Sequence, residues 1–197
     1  MHLILASTSQ YRARLLARLH LPFTQIDPLF PETGSAGETP DQMARRLAEG
    51  KARAAAEQSL AAPWLLIASD QVASLGDLVF GKPGDHKTAA EQLAMCSGRW
   101  VSFDTAICLL SSDGYQDLQC ERFEIRFRPL DERMITRYLN LDRPFDSAGS
   151  IKAESHGNLL IEDSRGRDFN TLLGLPLMLL QDMLIRAGVD PLKSDDV

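Results

Sequence analysis

Two hydrophobic periods alternate along this chain. Residues 2–7 are a short apolar run that meets the polar turn Ser7-Thr8-Ser9, and residues 9–19 then set Leu15, Leu16 and Leu19 on one face at helical spacing. The pattern predicts a buried strand that runs through the turn into a basic helix. Residues 22–38 are rich in Pro, Gly, Glu and Thr and read as a loop with a short strand near 23–26. Thr39-Pro40-Asp41-Gln42 carries helix-start signals: Thr39 at the N-cap, Pro40 at the first helical position and Gln42 at the capping-box position. The helix it opens runs to about Ser59.

Residues 64–70 form an apolar run ending in a carboxylate, which predicts a central strand with Asp70 at its C-terminal end. Residues 72–75 and 78–80 flank Gly76-Asp77 as a hairpin. Residues 81–84 are a loop, and 87–95 are a helix stopped by Ser97-Gly98. Residues 100–110 and 118–127 are long strands, 131–140 a helix, 144–151 a loop, and 159–162 a strand. Residues 177–187 close the fold as a helix, and 190–197 are a loose polar tail. Strands and helices mix without strict alternation, so the predicted class is α/β with a mixed sheet.

Composition narrows the function. The 197 residues, 44% hydrophobic and 24% charged, suit one domain, taken here as 1–189 with the tail outside it. A net charge of −6 argues against a nucleic-acid or anionic-membrane partner, yet a local basic cluster can still serve a small anionic substrate. No apolar run is long enough to span a bilayer. Cys96, Cys108 and Cys120 form no CxxC pair, which fits a reduced, cytoplasmic protein. The four histidines are scattered, so no histidine metal site is expected.

The opening turn is the first candidate for chemistry. A strand that feeds a helix N-terminus presents free N–H groups and a favourable dipole to an anion. Ser7 and Ser9 are small enough for close approach, and Arg12 adds a forked cation. The plain alternative is an ordinary turn capped by Ser. Asp70 stands where open α/β sheets bind ligands and suits a general base or metal ligand, or else a turn. Lys82, in Gly81-Lys82-Pro83, suits a phosphate oxygen, or else is a solvated loop lysine. Lys51 shares its helix with Arg45, Arg46 and Arg53, a row that ordinarily means a solvated face. Glu32 is a loop acid that nothing local singles out.

Taken in order, these segments resemble the Maf family of nucleoside-triphosphate pyrophosphatases. The marks are Leu5-Ala6-Ser7-Thr8-Ser9-Gln10-Tyr11-Arg12, Arg46-Leu47-Ala48-Glu49-Gly50-Lys51-Ala52, Ala68-Ser69-Asp70-Gln71, Gly81-Lys82-Pro83, Ser97-Gly98, Ala148-Gly149-Ser150 and Gly174-Leu175-Pro176. The resemblance implies an elongated α/β fold, similar to inosine-triphosphate pyrophosphatases, with two lobes around a cleft. It implies hydrolysis of a nucleoside triphosphate to monophosphate and diphosphate with a divalent cation. Mg²⁺ or Mn²⁺ is expected on the carboxylates of Glu32 and Asp70, and how Asp70 divides between base and metal ligand is left open. The resemblance assigns the phosphates to Ser7, Arg12 and Lys51, and catalysis to Asp70 as proton acceptor with Lys82 and Glu32. A homodimer is left open.

One departure bears on the substrate. Many members read Ser-Pro-Arg-Arg where this chain reads Ser9-Gln10-Tyr11-Arg12. The trio Tyr11, Gln71 and Glu154 resembles the branch acting on 7-methyl-GTP, whereas the dTTP and UTP branch typically has Arg, Thr and Gln. N7-methylation makes guanine cationic, and an aromatic face with a carboxylate favours a cation. The alternatives are a core role for Tyr11 and a surface role for Glu154. Two further readings of the function remain: a dTTP/UTP pyrophosphatase, or a regulatory nucleotide-binding protein linked to septum formation.

Overall fold

The computed structural model describes residues 1–35, 37–58 and 60–193, and residues 194–197 of the expected tail lie outside it. Strand β1 (His2–Ala6) enters helix α1 (Gln10–Ala17) through a turn capped by Ser9, whose hydroxyl accepts from the Arg12 N–H. After β2 (Phe23–Ile26), helix α2 (Pro40–Ala56) starts on the expected capping box. The Thr39 N–H donates to Gln42 Oε1 at 3.0 Å, and the Gln42 N–H donates to Thr39 Oγ1 at 3.3 Å. The helix ends at Ala56, short of Ser59, which is outside the described residues.

Strand β3 (Trp64–Leu75) and β4 (Leu78–Phe80) form the hairpin around Gly76, whose φ of +62° suits glycine. Helix α3 (His86–Cys96), the long antiparallel pair β5 (Trp100–Ser111) and β6 (Gln116–Phe127), and helix α4 (Glu132–Asp142) follow. Strand β7 (Ile161–Arg165) begins later than expected, because residues 156–160 wind into a 3₁₀ turn. Helix α5 (Leu177–Arg186) closes the chain.

The strands make one mixed sheet in the order β2-β1-β3-β5-β6-β7, with β4 on β3. Among the described residues, only β2-β1 and β1-β3 are parallel. The core comes in three clusters. On one face, the alanines of α2 (Ala44, Ala48, Ala52, Ala55) pack on Ile4, Leu66, Ala68 and Val72. On the other face, α1 and α5 cover Leu3, Leu5, Leu65 and Ile67. Farther along β5 and β6, α3 and α4 pack on Phe103, Ile125 and Phe127.

One expectation is corrected here. Asp70 does not end its strand; it lies inside β3, which runs on to Leu75. A carboxylate inside a sheet is costly unless paired, and Lys51 supplies the pairing described below. The strand continues because β5 keeps bonding it, from Leu65↔Ser111 through Asp70↔Ala106 to Ser74↔Ser102. What does end is its parallel neighbour. The β1–β3 ladder stops at Ala6↔Ala68, and β4 joins only at Ala73. Asp70 therefore stands in the gap left by β1, beside the opening turn.

All three cysteines are free, and burial pushes the thiols of Cys96 and Cys108 up to about 12, which leaves them unreactive. No described helix is long and apolar enough to cross a membrane.

Candidate active site

Two periodicities meet at Asp70. Along β3, Leu66, Ala68, Asp70 and Val72 share the face that α2 covers. Along α2, Ala44, Leu47, Ala48, Lys51, Ala52 and Ala55 form the buried stripe. Lys51 is thus embedded in the alanine face, with its side chain 4% exposed, and is not on the solvated row with Arg45, Arg46 and Arg53. Its Nζ donates to Asp70 Oδ1 at 2.6 Å and also to Glu32 Oε1. Lys82 Nζ reaches the other Glu32 oxygen at 3.3 Å.

Glu32 is brought there by its loop. Gly50 sits in the middle of α2, where glycine is unfavourable, and a Cβ on it would lie 2.3 Å from Cζ of Phe30. The bare backbone lets the Phe30 ring lie against the helix, two residues before Glu32. Lys82 is held by its own loop. The Gly84 N–H donates to the Phe145 carbonyl at 2.9 Å, and Gln92 Nε2 donates to the Gly81 carbonyl at 3.2 Å.

The charges set the protonation of the acids. Burial raises the Asp70 pKa, and Lys51 and Arg12 only partly offset it. Burial also works upward on Glu32, but hydrogen bonds and charge from Lys51 and Lys82 win and hold it at about 2. Asp70 Oδ2 accepts no hydrogen bond from the described residues, where every buried side-chain polar atom has a partner, so Oδ2 opens on the cleft. Glu32 and Asp70 offer hard carboxylate oxygens. That chemistry fits a Mg²⁺-type cation, which takes one or two carboxylates and fills its sphere with phosphate oxygens and water.

The opening turn is tied down from several sides. Gln25 Nε2 donates to the carbonyls of Ser7 at 2.7 Å and Ser9 at 3.3 Å. Ser7 Oγ accepts from the Ser9 N–H at 3.2 Å and from Arg12 Nη1 at 3.4 Å. Arg12 Nε donates to the Gly174 carbonyl at 3.0 Å, and Ser69 Oγ donates to the same oxygen at 3.0 Å. Gly174 has φ of +95°, a conformation that favours glycine, and the Arg12 side chain lies against it. Burial lowers the Arg12 pKa, and Asp70 and Glu32 oppose the shift, so the guanidinium stays charged.

Gln71 lies on the opposite face of β3 from Asp70. Its Nε2 donates to Thr105 Oγ1 at 3.0 Å and to the carbonyls of Thr171 at 2.7 Å and Leu172 at 3.2 Å. Carbonyls only accept, so the amide orientation is fixed and Oε1 is what remains for a ligand. Tyr11 belongs to none of the three apolar clusters. Glu154 is exposed, in the turn before the 3₁₀ segment.

All nine residues singled out from the sequence line one cleft of about 730 Å³: Ser7, Tyr11, Arg12, Glu32, Lys51, Asp70, Gln71, Lys82 and Glu154. Arg14, Asp27 and Asp146 line it as well, and sequence reasoning passed over them. Arg14 was findable, since it shares the first two turns of α1 with Tyr11 and Arg12. A second acidic group, Asp41, Asp104 and Cys120, lies elsewhere. Arg45 already pairs with Asp41 at 3.0 Å, and Arg122 takes both Asp104 oxygens at 2.8 and 3.1 Å.

The family model for Maf-like proteins matches residues 2–187. A Pseudomonas putida protein named 7-methyl-GTP pyrophosphatase is 46% identical over 188 residues, 95% of this chain and 97% of its own length. A protein of the same name from Idiomarina loihiensis is 41% identical over 194 residues, 98% of each chain. Among solved structures, the Staphylococcus aureus Ham1 protein superposes with a TM-score of 0.50 at 16% identity, covering 95% of this chain and all of its own. At that identity the likeness concerns the fold, a mixed sheet flanked by helices.

Proposed function

The chain belongs to the Maf family, and from that premise we propose that it is a nucleoside-triphosphate pyrophosphatase that hydrolyses 7-methyl-GTP to 7-methyl-GMP and diphosphate. The observation that carries this reading is the cleft. It gathers cations, a partly freed carboxylate and a base-sized aromatic into one space.

Ser7, the turn amides, Arg12, Lys51 and Lys82 hold the triphosphate. Each supplies a donor, and their charges offset that of the phosphates. Glu32 and Asp70 would hold a divalent cation, Mg²⁺ or Mn²⁺, which neutralises phosphate charge when bound. Asp70 Oδ2 accepts a proton from water as the water oxygen attacks the α-phosphorus. The Pα–O bond to the bridging oxygen breaks, and diphosphate departs with both electrons of that bond. The raised pKa of Asp70 suits this task, because a more basic carboxylate takes a proton more readily.

At the other end, Tyr11 offers a ring face and Glu154 a carboxylate to a cationic base. Glu154 and Gln71 Oε1 are acceptors for the guanine N1–H and exocyclic amine, a donor pair that thymine lacks. The test is diphosphate release with Mg²⁺ from a panel of 7-methyl-GTP, GTP, dTTP and UTP. The reading expects kcat/KM for 7-methyl-GTP to exceed the others by at least about tenfold, roughly 1.4 kcal/mol of discrimination. Equal use of dTTP or UTP contradicts the substrate, and release of single phosphate contradicts the reaction.

A further inference from the structure

Beside Tyr11 stands a cation that the base-recognition reading does not use. Lys152 lies between buried Ile151 and Ala153, and its N–H donates to the Tyr138 hydroxyl at 2.9 Å. Its side chain is only 17% exposed. The ammonium pairs with Asp146 Oδ1 at 3.0 Å and lies within electrostatic range of the Tyr11 hydroxyl. Unlike a mobile surface lysine, this one is fixed beside the cleft: its partner Asp146 and its sequence neighbours Ile151 and Glu154 all line the cleft.

We propose that Asp146 is a specificity-determining residue: by pairing with Lys152 it cancels the cation set against Tyr11 and keeps the base end of the cleft anionic. The proposal rests on the functional reading above. Without Asp146, Lys152 would repel a cationic base while leaving Tyr11 and Glu154 in place. The Asp146 side chain is 67% exposed against 17% for Lys152, and any stability the pair adds acts on both nucleotides alike, so it cancels in their ratio. Asp146 also feels the charge of Lys82. That influence acts on the phosphates, which methylated and unmethylated substrates share, so it cancels in their ratio.

The experiment compares 7-methyl-GTP with GTP, each as substrate or, where turnover is slow, as competitive inhibitor. Asp146→Asn is expected to lower the preference for 7-methyl-GTP roughly three- to tenfold at moderate salt. The double variant Asp146→Asn/Lys152→Met is expected to restore it, because the uncancelled charge is gone. A preference that survives Asp146→Asn, or a fall that is equal for both nucleotides, overturns the proposal alone. A fall that the double variant does not reverse removes Lys152 as its cause and also overturns it. Equal use of the two nucleotides by the parent overturns the functional reading, and the proposal with it.

Discussion

Lys51 does the work of two partners. One buried ammonium neutralises Asp70 and Glu32 together; Glu32 has a second ion-pair partner in Lys82, and Asp70 feels the charge of Arg12. Removing Lys51 leaves the buried Asp70 carboxylate without its ion-pair partner and beside half-exposed Glu32. Lys51→Met is therefore expected to cost about 3 kcal/mol or more, seen as a Tm lower by roughly 6–12 °C. Asp70→Asn behaves oppositely. For Asp70 burial outweighs its cations, so removing its charge relieves the fold. That variant should melt within about 2 °C of the parent, or above it, yet lose at least about a hundredfold in turnover. Turnover close to the parent's would remove Asp70 as the proton acceptor. Glu32 carries a pH signature. Its folded pKa of about 2 lies below the ordinary 4.5, so its stabilisation is complete above the ordinary value and fades as pH falls toward 2. In urea unfolding without metal, the deficit of Glu32→Gln should be full at pH 6 and shrink as pH approaches 2. A deficit constant with pH contradicts the pairing.

At the scale of elements, the site depends on α2 carrying chemistry on the face that also packs the core. Gly50 shows the dependence. Ala there favours the helix by about 1 kcal/mol, but its methyl takes the space of the Phe30 ring. Gly50→Ala should leave Tm unchanged or higher and lower kcat/KM about tenfold or more through a displaced Glu32. A variant of parental activity would detach Glu32 from that packing. The elements themselves were readable because caps and periods are local: the Thr39-Pro40 start, the Gly76 turn and the long strands all appear as read. Lys51 was readable too, since it continues the series Ala44, Ala48, Ala52 and Ala55, but the neighbouring arginines masked it. That 64–70 and 72–75 are one strand running through Asp70 was not, because the lysine that permits a carboxylate there lies 19 residues away in sequence. Lys152 and Asp146 gave no local sign either. Their meaning comes from Tyr11, on a helix at the other end of the chain.

For the whole molecule, the sheet order puts α2, the opening turn, the Lys82 loop and the 146–154 segment around one cleft. Recognition of the base should then be transferable as a set. Exchanging Tyr11→Arg, Gln71→Thr and Glu154→Gln together should shift preference toward dTTP and UTP, read as kcat/KM ratios; an unchanged ratio would remove the trio from recognition. Gln71 warrants its own control, since its amide also anchors the carbonyls of Thr171 and Leu172. Thr there gives up those bonds, so a folded triple variant must first be shown by its unfolding transition. The most direct test of the reaction is hydrolysis of 7-methyl-GTP in ¹⁸O-water with Mg²⁺, followed by mass spectrometry of both products. Attack at the α-phosphorus predicts one ¹⁸O in 7-methyl-GMP and none in diphosphate. Label in diphosphate or in free phosphate would contradict it.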